Sequence, residues 1–295
     1  MNLDELIIQW FCMIDDGVTA CLGERRLRQR GSTPEMADSE VMTMEIVGEY
    51  LGFQQDAAIY RYFRQYYGHF FPAMQHLHRS TFVRQAANIY RLTEQVWQWI
   101  REQVPYDHHL GIVDSLALSV CQFTRAPRCR RFRGEAAYGQ DHLTRLPFYG
   151  FRIQARICWP GVICQFEVTP GNASELEAAR DLTQGTSGLL LGDRNFWSPR
   201  LKADLADHQI RLLAPFRRRK HDPWPAWSYL LSQWRYRIDT VFGQLVDRTA
   251  LKRVWAKDFW HLCHRLLRKV LMHTIAVWTT TLLGLPALQL AHLIP

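Results

Sequence analysis

From residue 1 to about residue 104, apolar positions recur at helical spacing; from about 105 to 215 they contract into short apolar runs separated by turn residues. Val41, Met44, Val47 and Leu51 fall on one side of a helix that Asp38 or Ser39 can cap and Gly52 ends. Ile59, Phe63 and Tyr67 form the apolar side of a second helix, closed by Pro72, with Arg61 and Arg64 pointing elsewhere. Phe82, Ala86, Ile89, Val96 and Ile100 predict a third, longer helix. Three helices in a basic context suit DNA binding, with Gln54, Gln55, Arg61 and Arg64 as candidate contacts.

After Pro105 the runs Leu110–Val113, Phe148–Trp159, Val162–Thr169, Leu189–Leu191 and Ile210–Leu213 predict strands. Pro160 and Gly161 join the second to the third, which predicts an antiparallel hairpin. A helical pattern over 175–183 interrupts the strands. Another, over 231–245, places Leu231, Trp234, Ile238, Val241, Phe242 and Leu245 on one face to dock on the sheet. This order predicts an α/β unit with a mixed sheet. Beyond Lys252 the pattern is helical again, with Phe259, Leu262, Leu266, Val270 and Ile275 as a buried stripe. The organisation expected is a helical domain over 1–104, an α/β domain over 105–255, and C-terminal helices over 256–295 packed on the α/β domain.

Two of the predicted strands run into a carboxylate. Gly111-Ile-Val-Asp114 and Leu189-Leu-Leu-Gly-Asp193 both end apolar runs in an acid, and Asp239 lies at the edge of the apolar stripe of the 231–245 helix. Groups distant in sequence converge at strand ends in α/β sheets. Three acids from three elements suit Mg²⁺ or Mn²⁺, which prefer hard oxygen ligands, and two such ions about 3.5–4 Å apart serve in-line phosphodiester displacement. The competing explanations are local: an Asp after an apolar run often caps a turn, and Arg235 stands one turn before Asp239, at ion-pair spacing. Without metal the three acids repel one another, so one is expected to turn away or to be held by Arg235.

Charge sharpens the choice of partner. The 295 residues carry a formal charge of +8 with 47% hydrophobic residues, enough for a sizeable core and favouring an acidic partner, nucleic acid ahead of membrane. Arg125, Arg128, Arg130, Arg131 and Arg133 follow the first acid in a stretch without periodicity, and Arg217, Arg218, Arg219 and Lys220 precede the last helix of the α/β region. Phosphates relieve the mutual repulsion of such clusters. Seven scattered cysteines without a Cys-x-x-Cys pair predict reduced thiols in a cytoplasmic protein. The N-terminus lacks a secretory pattern, and the longest apolar stretch, 270–285, is short for a membrane span and contains His273.

The segments Asp38-Ser-Glu-Val-Met-Thr-Met-Glu-Ile-Val-Gly-Glu-Tyr-Leu-Gly52, Val113-Asp-Ser115, Phe148-Tyr-Gly-Phe151, Thr169-Pro-Gly-Asn172, Leu191-Gly-Asp193 and Ile238-Asp-Thr-Val-Phe-Gly-Gln-Leu245 resemble transposases of the insertion sequence 982 family. The resemblance covers nearly the whole chain. It implies a ribonuclease H-like fold, with Asp114, Asp193 and Asp239 as the catalytic, metal-binding triad; Asp239 stands where the family more often carries Glu. It further implies Mg²⁺- or Mn²⁺-dependent endonucleolytic cleavage and strand transfer at the ends of an insertion sequence. The partner it implies is double-stranded DNA, both element ends and target, with at least a homodimer to pair two ends. The alternatives are a catalytically inactive DNA-binding derivative, or a metal-dependent nuclease that cuts without joining.

Overall fold

Asn2 opens the first helix, α1 (Leu3–Leu22), by accepting the Glu5 amide at 2.8 Å while the Glu5 carboxylate accepts the Asn2 amide at 2.9 Å. This reciprocal pair satisfies two amides that have no partner inside the helix. The computed structural model describes residues 1–25, 27–28, 30–142, 144–253 and 255–293, the side chain of Arg219 excepted. Contacts divide the chain into two units, one of Met1–Pro105, Gln244–Ala256 and Trp260–Pro295, the other of Tyr106–Gly243 and Lys257–Phe259.

The first unit is helical. α1 is followed by α2 (Asp38–Tyr50), α3 (Asp56–Tyr66), α4 (Arg79–Asn88) and α5 (Tyr90–Gln103). Two local expectations change here. Asp38 does not cap α2; it is the first helical residue, and its two carboxylate oxygens accept Arg28 at 2.8 Å each. The long third helix is two, because the backbone at Ile89 opens to φ −88°, ψ 7° between α4 and α5. Of the basic residues suggested as DNA contacts, Arg61 and Arg64 are both exposed; Arg61 donates to the Ala57 carbonyl at 3.2 Å, and Arg64 to the Tyr60 hydroxyl at 2.8 Å and the Gln75 carbonyl at 3.3 Å.

The last long helix, α9 (Phe259–Leu282), supplies the largest correction. Almost all of it belongs to the helical unit rather than to the sheet unit on which it was expected to pack. Indole N–H groups fasten it: Trp10 donates to Thr279 Oγ1 at 3.0 Å and Trp97 to Thr274 Oγ1 at 3.1 Å. Its cations explain the preference more fully. Arg268, 1% exposed, bonds Glu49 at 2.7 Å and Asp56 at 2.8 Å and also holds Glu45. Lys269 holds Glu49 and the Thr249 carbonyl, and Arg265 lies 3.6 Å from Asp56. Buried charge is tolerated only where paired, and the matching acids sit on α2 and at the start of α3. Among the described residues, no helix is long and apolar enough to cross a membrane.

The second unit is a mixed six-stranded sheet with helices. Its strands are β1 (Asp107–Ser119), β2 (Ala137–Gln140), β3 (Pro147–Trp159), β4 (Val162–Pro170), β5 (Gly188–Leu191) and β6 (Ile210–Leu213). β2 has no apolar run and was not predicted. The order is β2-β3-β1-β5-β6, with β4 also pairing β3; β1, β5 and β6 are parallel and β3 runs against β1. The predicted hairpin is β3–β4, turned at Trp159-Pro160-Gly161 with Gly161 at φ 139°. α6 (Glu175–Asp181) and α7 (Pro199–Ala206) pack through Ala179, Leu201 and Leu205 with Val113, Leu190 and Leu212 of the sheet. Side chains alternate between faces along a strand, so Asp114, next to Val113, turns to the opposite face. There it meets α8 (Pro225–Thr249).

Candidate active site

Strand register sets the first two acids beside each other. Leu110, Gly111 and Ile112 of β1 lie opposite Leu189, Leu190 and Leu191 of β5, so Asp114 and Asp193 both stand two residues beyond the last paired position. Neighbouring strands are about 4.8 Å apart. Asp193 also performs the local task that its position after an apolar run allows. It caps the 3-10 turn Arg194–Phe196, its Oδ1 accepting the Asn195 amide at 2.7 Å and its Oδ2 the Asn195 side chain at 3.0 Å.

Asp239 reaches the cluster from α8 through one arginine. Arg235 Nη1 donates to Asp114 Oδ2 at 2.5 Å, and Arg235 Nη2 lies 3.2 Å from Asp239 Oδ2. The ion pair anticipated inside α8 therefore exists, but the same guanidinium also bridges to β1, a contact that spacing within one helix could not reveal. Burial pushes the Asp114 carboxyl up to about 7; Arg235 pulls it down, and the charges of Asp193 and Asp239 push it up again. Burial also raises Asp193, the Asn195 amide opposing and Glu175 adding to the rise. Asp239 is raised by burial against the pull of Arg235. The three acids thus form one electrostatic group with Arg235 as counter-charge.

Glu175, first residue of α6, is the acid that the sequence patterns missed. Ser115, next to Asp114, donates to Glu175, and Arg152 of β3 bonds the same oxygen at 3.0 Å and Ser115 Oγ at 3.3 Å. His142 Nε2 lies 3.6 Å from its other oxygen. The available signal was Arg152, a cation inside the apolar run of β3 that needs a buried partner; it is 5% exposed. This network fixes the middle of β1 from the face opposite Asp114.

The donor set suits a hard divalent cation, since every group is a carboxylate oxygen, and a cationic guanidinium already lies between two of the three acids. Among the described residues, however, no group of three or more His, Cys, Asp or Glu side chains is gathered to hold a metal ion. Asp114 and Asp239 would have to exchange Arg235 for it. Arg125, Arg128, Arg130, Arg131 and Arg133 are all exposed between β1 and β2, as are Arg217, Arg218 and Lys220 between β6 and α8; the Arg219 side chain lies outside the described set. Trp234, expected to dock on the sheet, is 45% exposed and stacks instead against Trp159 at the end of β3.

A family model described as "Transposase DDE domain" matches residues 107–254. Among solved structures, the chain is similar to the piggyBac transposase synaptic complex with hairpin DNA, determined by cryo-EM, with a TM-score of 0.43 and 10% identity over 97% of this chain and 83% of that one. No curated protein matches this chain.

Proposed function

For a chain that belongs to the family of DDE-domain transposases, we propose that the sheet unit is a ribonuclease H-like catalytic domain of the insertion sequence 982 type. It cleaves DNA strands at the ends of an insertion sequence and joins them to target DNA. Asp114, Asp193 and Asp239 are the residues that would hold Mg²⁺ or Mn²⁺. The observation that carries this reading is the shared counter-charge: acids from β1 and α8 converge on the single guanidinium of Arg235, with Asp193 at matching register beside Asp114. Bound divalent ions supply Lewis acidity, activating the attacking oxygen and stabilising the leaving one.

The protein's own share is placement and charge control. β1 is paired with β3 at Asp114 and with β5 just before it, which sets the position of that acid in the sheet, while the turn capped by Asp193 limits the swing of that carboxylate. Arg235 neutralises acids that would otherwise repel each other, and Ser115, Glu175 and Arg152 fix the strand behind them. The test is cleavage of labelled DNA carrying the element's own end, with Mg²⁺ or with chelator. Nicking followed by joining in Mg²⁺, and neither in chelator, is expected. Binding without nicking would favour the inactive DNA-binding derivative, and cutting without joining would favour a nuclease.

Both arginine clusters would grip DNA phosphates, and pairing two ends would require at least two copies of the chain. Replacing Arg128, Arg130 and Arg131 together is expected to flatten the dependence of log affinity on log salt by about 0.9 per lost phosphate contact. Sequence preference should survive, because phosphate contacts position DNA while base contacts specify it. An unchanged salt slope would remove these arginines from the interface.

A further inference from the structure

The outward side of α8 carries exposed aromatic residues at helical spacing. Trp227, Leu230 and Trp234 lie along one ridge, and Tyr229 and Tyr236 along the next; all are exposed, Tyr236 to 68%. Trp159 stands against Trp234 with ring centroids 5.7 Å apart and planes at 37°, and the Arg237 guanidinium lies 4.4 Å from the centre of the Trp159 ring. With Gln233, Tyr236 and Thr240 these side chains line an open recess of about 410 Å³. A contiguous exposed aromatic patch marks an interaction site more often than a neutral surface.

We propose that this recess takes an unpaired nucleobase of the DNA strand held at the acids, stacked on the indoles of Trp234 and Trp159 beside the Arg237 guanidinium. The proposal rests on the reading of Asp114, Asp193 and Asp239 as the strand-cleaving site. Position supports it: Arg235 and Asp239, which contact the acid cluster, alternate along the same turns of α8 with Trp234, Tyr236, Arg237 and Thr240, which line the recess. Chemistry supports it too. Every base offers a π-face to an aromatic ring or a guanidinium, no acid among the described residues lines the recess, and exposed Arg217, Arg218 and Lys220 in the segment leading into α8 carry charge for the flanking phosphates. A duplex keeps its bases stacked on one another, so the recess should distinguish single from double strands.

The test compares binding of a 20-nucleotide oligothymidylate and a blunt 20-base-pair duplex, at one salt concentration and in chelator, for wild type, Trp234→Ala and Trp234→Phe. Because Trp234 is exposed, circular dichroism should show both variants folded. Trp234→Ala is expected to weaken single-strand binding about 5- to 150-fold, the range for loss of one base–aromatic stack. Trp234→Phe should restore most of the affinity, and duplex affinity should stay within about twofold. Equal losses on both probes, or no loss, would overturn the proposal. So would a Trp234→Ala chain that keeps single-strand affinity but dissociates a self-associated form in sedimentation, which would make the patch a contact between copies. Binding in chelator requires no cleavage, so this failure would leave the acid assignment intact.

Discussion

Asp114→Asn should reduce strand cleavage by about a thousandfold or more while leaving the fold and DNA affinity nearly unchanged. The size follows from what a bound divalent ion supplies, several kcal/mol of transition-state charge stabilisation, at about 1.4 kcal/mol per tenfold in rate. The separation from stability follows from the site itself. Burial raises the Asp114 carboxyl to about 7, so the folded state gains nothing by keeping it ionised: the stability this group contributes is complete near pH 4 and is lost as pH rises through 7. Asn keeps the volume and removes that liability, and Arg235 retains Asp239 at 3.2 Å. A wild-type-like cleavage rate for purified Asp114→Asn would end the three-acid mechanism. Asp239 deserves the same pair of assays with Asn and Glu, since Asn should abolish cleavage if Asp239 is a ligand and have little effect if it serves only Arg235.

The largest stability effect is expected far from these acids. Arg268→Met should cost about 3–5 kcal/mol, because removing one partner of a buried ionic group leaves uncompensated charge. Against a typical total of about 5–15 kcal/mol, that is a large fraction. Arg268 faces Glu45, Glu49 and Asp56 at once; Glu49 would keep Lys269 and Asp56 would keep Arg265, but Glu45 would lose its close cationic partner. Burial already lifts the Glu45 carboxyl to about 7, and its second oxygen has no hydrogen-bond partner among the described residues, lying 4.0 Å from a His264 that burial and then Arg268 keep neutral. Glu45→Gln should therefore be much milder near pH 7 than Arg268→Met. Denaturant midpoints followed by circular dichroism would compare the two. An Arg268→Met protein within about 1 kcal/mol of wild type would show that the cluster contributes little to folding.

How far such features could be read from residues depended on whether the signal was local. β3, β4 and their turn announced themselves through continuous apolar runs around Pro160-Gly161, and Asp193 does follow its strand, but the apolar run before Asp114 stops short of the strand itself, because β1 continues to Ser119 paired with β3. Long-range partners were another matter. Arg268 and Lys269 interrupt an apolar stripe, which says that buried acids must exist somewhere, but Glu45, Glu49 and Asp56 are more than 200 positions away, and no periodicity connects them. Glu175 was hidden for the same reason, being identified only when Arg152 and Ser115 are seen to share it. Trp234 misled because periodicity reports a helix face and not what covers it; Ile238 and Val241 on that face are buried while Trp234 is not.

The most direct measurement of the central claim is anomalous diffraction from crystals soaked in Mn²⁺. Manganese held by Asp114, Asp193 and Asp239, with the Arg235 guanidinium withdrawn from Asp114, is the expected result. Crystals in which Arg235 still bridges Asp114 and Asp239, with manganese bound elsewhere or not at all, would contradict it.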